Sequence, residues 1–155
     1  MKSLRELIAA VGVATVVGLV ALNYGRLPGM IATHFNAQGG PDGYGSKTTL
    51  LMLTGIAVGV YTLLSLVNIL PRRVNLGRAL TMEQESRVWS AGVEMVGWVK
   101  AEVAWMFAYL SYVMVGTAQG TMSGVGVWFM PAVMVAMAGT MGVFGVRMLR
   151  GMRAG

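Results

Sequence analysis

The 155-residue sequence contains no cysteine, a single histidine and only six aspartate and glutamate residues. Without cysteine the chain can form no disulfide, no thiolate metal site and no cysteine nucleophile. One histidine with so few carboxylates also makes a poor metal site, because structural zinc takes four nitrogen, sulfur or oxygen ligands. We therefore expect a protein that is not an enzyme and that binds no metal and no other cofactor.

Charge is equally scarce. Charged residues make up 12% of the chain and hydrophobic residues 55%, with a mean hydropathy of +0.65, whereas soluble domains carry roughly 25% charged residues. The apolar residues are grouped in runs, and about 20 consecutive apolar residues suffice to cross a bilayer as a helix. The composition predicts an integral membrane protein.

The apolar runs predict an all-α fold, a single membrane domain that forms a bundle of four transmembrane helices. The predicted spans are about 7–24, 49–70, 100–118 and 125–146. A structured loop over 25–48 connects the first two spans, and an amphipathic segment over 71–99 precedes the third. A basic tail over 147–155 follows the fourth. The first span follows Lys2 and Arg5 without a clean cleavage site, which predicts an uncleaved signal anchor. Ser46 is the predicted N-cap of the second helix.

The third helix is predicted to be unusually long. Thr81 and Gln84 have the spacing of a capping box, and Glu83 and Arg87 form a favourable pair four residues apart. No helix breaker follows before about Ala118. We expect one continuous helix that rises from the cytoplasmic surface and then enters the membrane.

Lysine and arginine are unevenly distributed. The N-terminus, the segment up to the third span and the C-terminal tail carry two, five and three of them, whereas the two opposite loops carry only Arg26 and Lys47. Positive residues accumulate on the cytoplasmic side. We therefore expect a multi-pass protein of the bacterial cytoplasmic (inner) membrane, with both termini inside and the 25–48 loop outside. This pattern indicates membrane orientation, and we expect no nucleic-acid partner.

Small residues suggest faces for helix packing. Gly55 and Gly59 lie on one face of the second span, and Ala10, Ala14 and Gly18 lie on one face of the first. Such residues allow helix backbones to approach closely. We favour packing of the four helices within one subunit over self-association.

Four of the fourteen methionines, Met130, Met134, Met137 and Met141, form a stripe on the fourth span. Thioethers suit Cu(I), but methionine is also a flexible apolar filler in helix bundles. We interpret the stripe as a packing face against a neighbouring helix.

Three charged residues, Glu94, Lys100 and Glu102, lie at the start of the third span. A charge at the bilayer centre costs about 3 kcal/mol, and buried charges are usually functional. We expect these residues to lie at the cytoplasmic interface, where Lys100 can extend its ammonium to water and Trp98 and Trp105 can act as interfacial anchors. Glu102 lies deepest and is the possible intramembrane polar site.

The 25–48 loop holds the chain's only histidine and the candidate ligand-binding residues His34, Asn36, Asp42 and Lys47. Together they could bind a peptide terminus, a lipid headgroup or a cation. The structural alternative is that Asp42 and Gly43 form a turn, that Asn36 and Asp42 satisfy backbone groups, and that Lys47 lies at the headgroup level.

The same loop resembles a known family. The resemblance rests on Leu27-Pro28, on His34-Phe35-Asn36, and on Gly39-x-Pro41-Asp42-Gly43-Tyr44-Gly45-Ser46-Lys47 leading into a transmembrane helix. This pattern is similar to that of the SdpI-like membrane family and covers roughly 24–75. The family's namesake is an immunity protein that protects a bacterium from its own secreted membrane-active peptide and relays the presence of that toxin to a repressor.

The resemblance implies a non-enzymatic protein for immunity to, or sensing of, a membrane-active peptide. Its partners would be the lipid bilayer, a peptide on the outer face and a soluble regulator in the cytoplasm. The alternative is a small structural or accessory subunit of a larger membrane complex. An ion or metal transporter is the third hypothesis.

Overall fold

The computed structural model describes residues 2–67 and 80–153 and is mostly helical. The elements are α1 (Lys2–Asn23), a 3-10 turn (Tyr24–Arg26), β1 (Met30–Phe35), β2 (Pro41–Ser46), α2 (Thr48–Leu66), α3 (Met82–Ala118) and α4 (Phe129–Arg153). Three helical segments are long and apolar enough to cross a membrane, namely Ser3–Arg26, Thr48–Leu66 and Phe129–Arg153. The described part of the chain is therefore that of a membrane protein with three candidate spanning helices. The predicted third span lies in α3, which is not one of these three.

Helix α3 is the centre of the bundle, and α1, α2 and α4 all pack against it. It runs parallel to α1 and antiparallel to α2 and α4. The hairpin formed by β1 and β2 lies where α1 and α3 end and where α2 and α4 begin, which we call the hairpin end. The opposite end holds the first turns of α1 and α3.

The predicted capping box, ion pair and continuity of α3 are confirmed. The hydroxyl of Thr81 accepts from the Gln84 amide and the Gln84 side chain accepts from the Thr81 amide, which completes the capping box. Arg87 and Glu83 form an ion pair at 2.6 Å. The helix continues for 37 residues without interruption.

Some predicted boundaries are different in the structure. Helix α4 includes most of the predicted basic tail, because no helix breaker precedes Arg153 and basic side chains stabilise the negative end of a helix dipole. Ser46 is not the N-cap of α2, since it is the last residue of β2 and Lys47 takes the cap position. The predicted end of α2 at 70 and the first part of the 71–99 segment lie outside the described residues.

The loop between α1 and α2 is a β-hairpin, so the description as all-α is incomplete. Its antiparallel register pairs Met30 with Ser46 and Ala32 with Tyr44. The turn lies at 36–40, where Asn36 Oδ1 accepts from two amides, those of Gln38 and Gly40, at 3.0 Å each. The predicted turn at Asp42 and Gly43 is wrong, because the Asn36 side chain closes the hairpin earlier and places both residues in β2.

The predicted small-residue packing faces are also wrong. Ala14 is exposed, and a Cβ added at Gly18, Gly55 or Gly59 would meet nothing within 4 Å. A different row of α1 is buried, which consists of Arg5, Ala9, Gly12, Val16 and Val20. The close approach occurs at Gly12, whose added Cβ would lie 3.0 Å from that of Ala104 in α3.

Three of the four methionines in the stripe do not pack against another helix of the described residues. Met130, Met134 and Met141 are each more than half exposed, and only Met137 is partly buried. Helix α4 contacts α3 through a narrow face that includes Phe144 and Gly151. The rest of α4 is left for lipid or for another protein.

Candidate functional site

Lys47 fastens the base of the hairpin to the end of α1. Its Nζ donates to the carbonyl oxygens of Tyr24 and Leu27, at 3.2 Å each, and lies 4.8 Å from the centre of the Tyr24 ring. These contacts join the start of α2 to the turn that follows α1. The ammonium of Lys47 therefore has a structural role in this arrangement.

The first strand of the hairpin is seated on the bundle. Ile31 and Ala32 are almost completely buried. They lie beside the end of α3, and the apolar cluster at this position comprises Val20, Leu27, Ile31, Leu50, Met114 and Val115. The cluster joins α1, β1, α2 and α3, so the hairpin cannot move far without disturbing α3.

The tip of the hairpin docks on the segment 119–128, which we call the α3–α4 loop. The amide of Val125 donates to the carbonyl oxygen of Gly39 at 2.8 Å. Gly39 has φ +82°, and a Cβ added there would lie 2.5 Å from the carbonyl carbon of Gly126. Gly124 has φ +147°, and its added Cβ would lie 1.9 Å from Gly39 O. Only glycine allows the two backbones to approach this closely.

Of the four predicted ligand-binding residues, two have side chains in contact with each other. His34 Nδ1 and Asp42 Oδ1 lie 2.5 Å apart, and both side chains are exposed. Asn36 closes the turn and Lys47 lies at the base of the hairpin. Thus the structure brings together His34 and Asp42 alone. The described residues contain no group of three or more histidines and carboxylates that could hold a metal ion.

A cleft of about 300 Å³ lies between the hairpin and the end of α3, and we call it the hairpin cleft. Its walls include Met30, Pro41 and Tyr44 from the hairpin and Thr117 and Met122 from the other side. Met30 and Tyr44 are each more than 60% exposed. The sequence pattern did not indicate this cleft, because it depends on the packing of α3 against a hairpin some 80 residues earlier in the chain.

An ion pair between a buried lysine and a partly exposed glutamate lies near the opposite end of the bundle. Lys100 is 1% exposed, and its Nζ lies 2.7 and 2.6 Å from the two carboxylate oxygens of Glu6. Ser65 Oγ accepts from the same Nζ at 3.1 Å, and the Tyr61 ring lies 4.9 Å away. The prediction that Lys100 extends to water is wrong, because Glu6 on α1 offers a closer partner.

A second ionic contact joins three helices. Glu94 Oε2 on α3 lies 3.7 Å from Arg5 Nη1 on α1 and 3.5 Å from Arg147 Nη1 on α4. The Arg5 side chain is only 6% exposed. Glu94 therefore links helices rather than facing solvent alone. The i,i+4 rule could not reveal this contact, because its partners lie far apart in sequence.

Glu102 is placed differently from the other two predicted charges. Its Oε1 accepts a hydrogen bond from Thr140 Oγ1, near the middle of α4. Its Oε2 is buried and has no hydrogen-bond partner among the described residues. The Trp105 indole donates to the carbonyl oxygen of Ile8 at 3.1 Å, so this tryptophan joins α3 to α1.

The exposed His34–Asp42 pair is expected to contribute little to stability. Because both side chains lie in water, we expect Asp42→Asn to change the free energy of unfolding by less than about 1 kcal/mol. Thermal unfolding in detergent would measure this change. A loss several times larger would show that the pair is a determinant of the fold.

A family model described as "Domain of unknown function (DUF1648)" matches residues 11–58. These residues comprise most of α1, the whole hairpin and the first half of α2. No curated protein and no solved structure matches the chain. Over this part, which holds His34, Asp42 and the hairpin side of the cleft, the chain is similar to that family of unknown function.

Proposed function

We propose that the protein acts without catalysis in the bacterial cytoplasmic membrane, as an SdpI-like protein for immunity to, or sensing of, a membrane-active peptide. One observation carries this proposal, namely the hairpin that is held across the helix ends and encloses the hairpin cleft with α3. Peptide side chains fit such a cleft, since its walls combine apolar and polar groups and Tyr44 stands exposed at its rim.

The positions of the basic residues support an orientation in which this cleft faces outward. Arg5, Arg147, Arg150 and Arg153 all lie toward the end opposite the hairpin. By the positive-inside rule, that end faces the cytoplasm and the hairpin faces outward. In this orientation α3 makes a fourth crossing and continues beyond the membrane at its first turns.

Helix α3 is the proposed route from the cleft to the cytoplasm. Thr117 and Ala118 line the cleft at one end of the helix, and Glu83 and Arg87 lie at the other. A peptide in the cleft would bias the position of the helix end, and the ionic contacts of Glu94 and Lys100 would pass that bias to α1 and α4. A soluble regulator would then bind the cytoplasmic end of α3.

The proposal predicts that cells lacking the gene are more sensitive to a membrane-active peptide and that the gene restores survival. Among complementing variants, we expect Tyr44→Ala to protect no better than the empty vector, because Tyr44 lines the cleft. Tyr112→Ala is the matched control, since Tyr112 is also half exposed but lies on α3 away from the lining residues. Membrane levels of both variants would be compared by immunoblot.

An unchanged survival for every peptide in a broad panel, with and without the gene, would refute the immunity and sensing proposal.

The second candidate function, an accessory subunit of a larger complex, is supported by the exposed surface of α4. Only 6% of the residues in its most apolar 18-residue window are buried within the structure. Mass spectrometry after purification in a gentle detergent separates the two functions. A large complex in fixed stoichiometry would favour the subunit, whereas the chain alone or with one soluble protein would favour the sensor.

A further inference from the structure

Two clefts open between α3 and α4, and Glu102 lines both of them. The cleft nearer the hairpin end has a volume of about 270 Å³, and its walls include Trp105, Tyr109, Phe129 and Met137. The other has a volume of about 400 Å³ and is lined in part by Trp98 and Phe144. We call the first the aromatic cleft. Its walls are apolar apart from the Glu102 carboxylate and the tyrosine hydroxyl.

Glu102 differs from the ion-paired glutamates of the bundle in its charge environment. Glu6, Glu83 and Glu94 each lie within 4.0 Å of a lysine or arginine nitrogen. No lysine or arginine of the described chain lies that close to Glu102, and its Oε2 has no hydrogen-bond partner there. An ionised carboxylate in apolar surroundings is costly unless a positive charge compensates it. The site therefore supplies the negative partner of an ion pair, and no lysine or arginine of the described residues supplies the positive one.

The position of Glu102 makes the missing charge more significant. Its partner Thr140 is near the middle of α4, and α4 is one of the three segments able to span a membrane. Charged side chains at that depth usually face a cavity or a partner charge. Glu102 lies in the wall between the two clefts and lines both. A bound cation would neutralise the carboxylate at this depth.

The walls of the aromatic cleft favour a cation with an apolar body. The Tyr109 and Phe129 rings stack with their centres 5.0 Å apart. The Tyr109 hydroxyl donates a hydrogen bond to the carbonyl oxygen of Val125. Aromatic faces attract ammonium groups. An inorganic cation such as Ca²⁺ requires six or more oxygen ligands, and the side chains that line this cleft carry oxygens only on Glu102 and Tyr109.

We propose that the aromatic cleft is a binding site for a small hydrophobic organic cation, whose ammonium group pairs with Glu102 and whose apolar part packs on Tyr109 and Phe129. The site lies between α3 and α4 and shares no residue with the hairpin cleft. It is thus independent of the peptide-sensing proposal, and either one can fail without the other.

The test uses the purified full-length protein in an uncharged detergent and benzyltrimethylammonium as the probe, with binding measured by isothermal titration calorimetry. We expect saturable binding with one site per chain. Glu102→Gln keeps the size of the side chain and an oxygen that can accept from Thr140, and it should weaken binding at least tenfold. Glu85→Gln removes the same charge elsewhere on α3 and should leave the affinity unchanged.

A neutral molecule of the same shape, neopentylbenzene, provides a second measurement that depends on no variant. It should fail to displace the ammonium probe from the unmodified protein, as followed by ligand-observed NMR. Equal affinity of the probe for the unmodified protein and for Glu102→Gln would overturn the proposal, as would the absence of saturable binding. Effective displacement by the neutral molecule would also overturn it, because the carboxylate would then contribute nothing to recognition.

Discussion

Glu6→Gln is expected to lower the free energy of unfolding by about 3 kcal/mol, because it leaves the buried ammonium of Lys100 uncompensated, while the Glu6 side chain itself is 33% exposed. Lys100 is 1% exposed, and Glu6 supplies both carboxylate oxygens to its ammonium. The hydroxyl of Ser65 and the ring of Tyr61 remain nearby, but neither carries a negative charge. For a chain of this length, the loss corresponds to a fall in Tm of about 6–12 °C, measurable by thermal unfolding in detergent.

Two further variants separate the pair from simple loss of charge. The double variant Glu6→Leu with Lys100→Met should recover most of the stability, because apolar residues of similar size often replace a buried ion pair without loss. Glu83→Gln breaks the exposed contact with Arg87 and should cost less than about 1 kcal/mol. A double variant as unstable as Glu6→Gln would show that the two charges do not act as a pair.

Gly39→Ala is expected to detach the tip of the hairpin from the α3–α4 loop. A side chain at φ +82° costs about 1–2 kcal/mol even in open space. Here the added Cβ would also lie within 2.6 Å of three backbone atoms of Gly126, and backbone cannot give way as a flexible side chain can. The hydrogen bond from Val125 to Gly39 should therefore break.

Hydrogen exchange measures this detachment directly. We expect the Val125 amide to lose its protection in Gly39→Ala while amides in the middle of α3 retain theirs. Gly29→Ala is the matched control, since Gly29, like Gly39, lies between α1 and α2. Gly29 has no positive φ, and a Cβ added there would meet nothing within 4 Å. Equal protection of Val125 in both variants would mean that the tip is not held by this contact.

Local sequence signals identified the long helix well. The capping box at Thr81 and the pair of Glu83 with Arg87 depend on residues three or four apart, and both are present in the structure. The apolar runs likewise indicate where α1, α2 and α4 lie, to within several residues at their ends. Such features follow from helix geometry alone.

Interactions between distant parts of the chain were not predictable in this way. Three interactions require knowledge of which elements are neighbours. They are the pairing of Glu6 with Lys100, the burial of Ile31 in the apolar cluster and the contact of Gly39 with Val125. Periodicity shows that a helix has a small-residue face but not which face is buried, so the rows at Gly18 and Gly55 were misjudged. For the hairpin, the single side chain of Asn36 moved the turn away from Asp42.

The pairing of Glu6 with Lys100 has a consequence for biosynthesis. The two residues are 94 positions apart, so at about 5–20 residues per second the ribosome makes Lys100 roughly 5–20 s after Glu6. During that interval the first helix exists without the counter-ion that α3 later supplies. The arrival of α3 supplies that counter-ion, and the nascent bundle can then close around it.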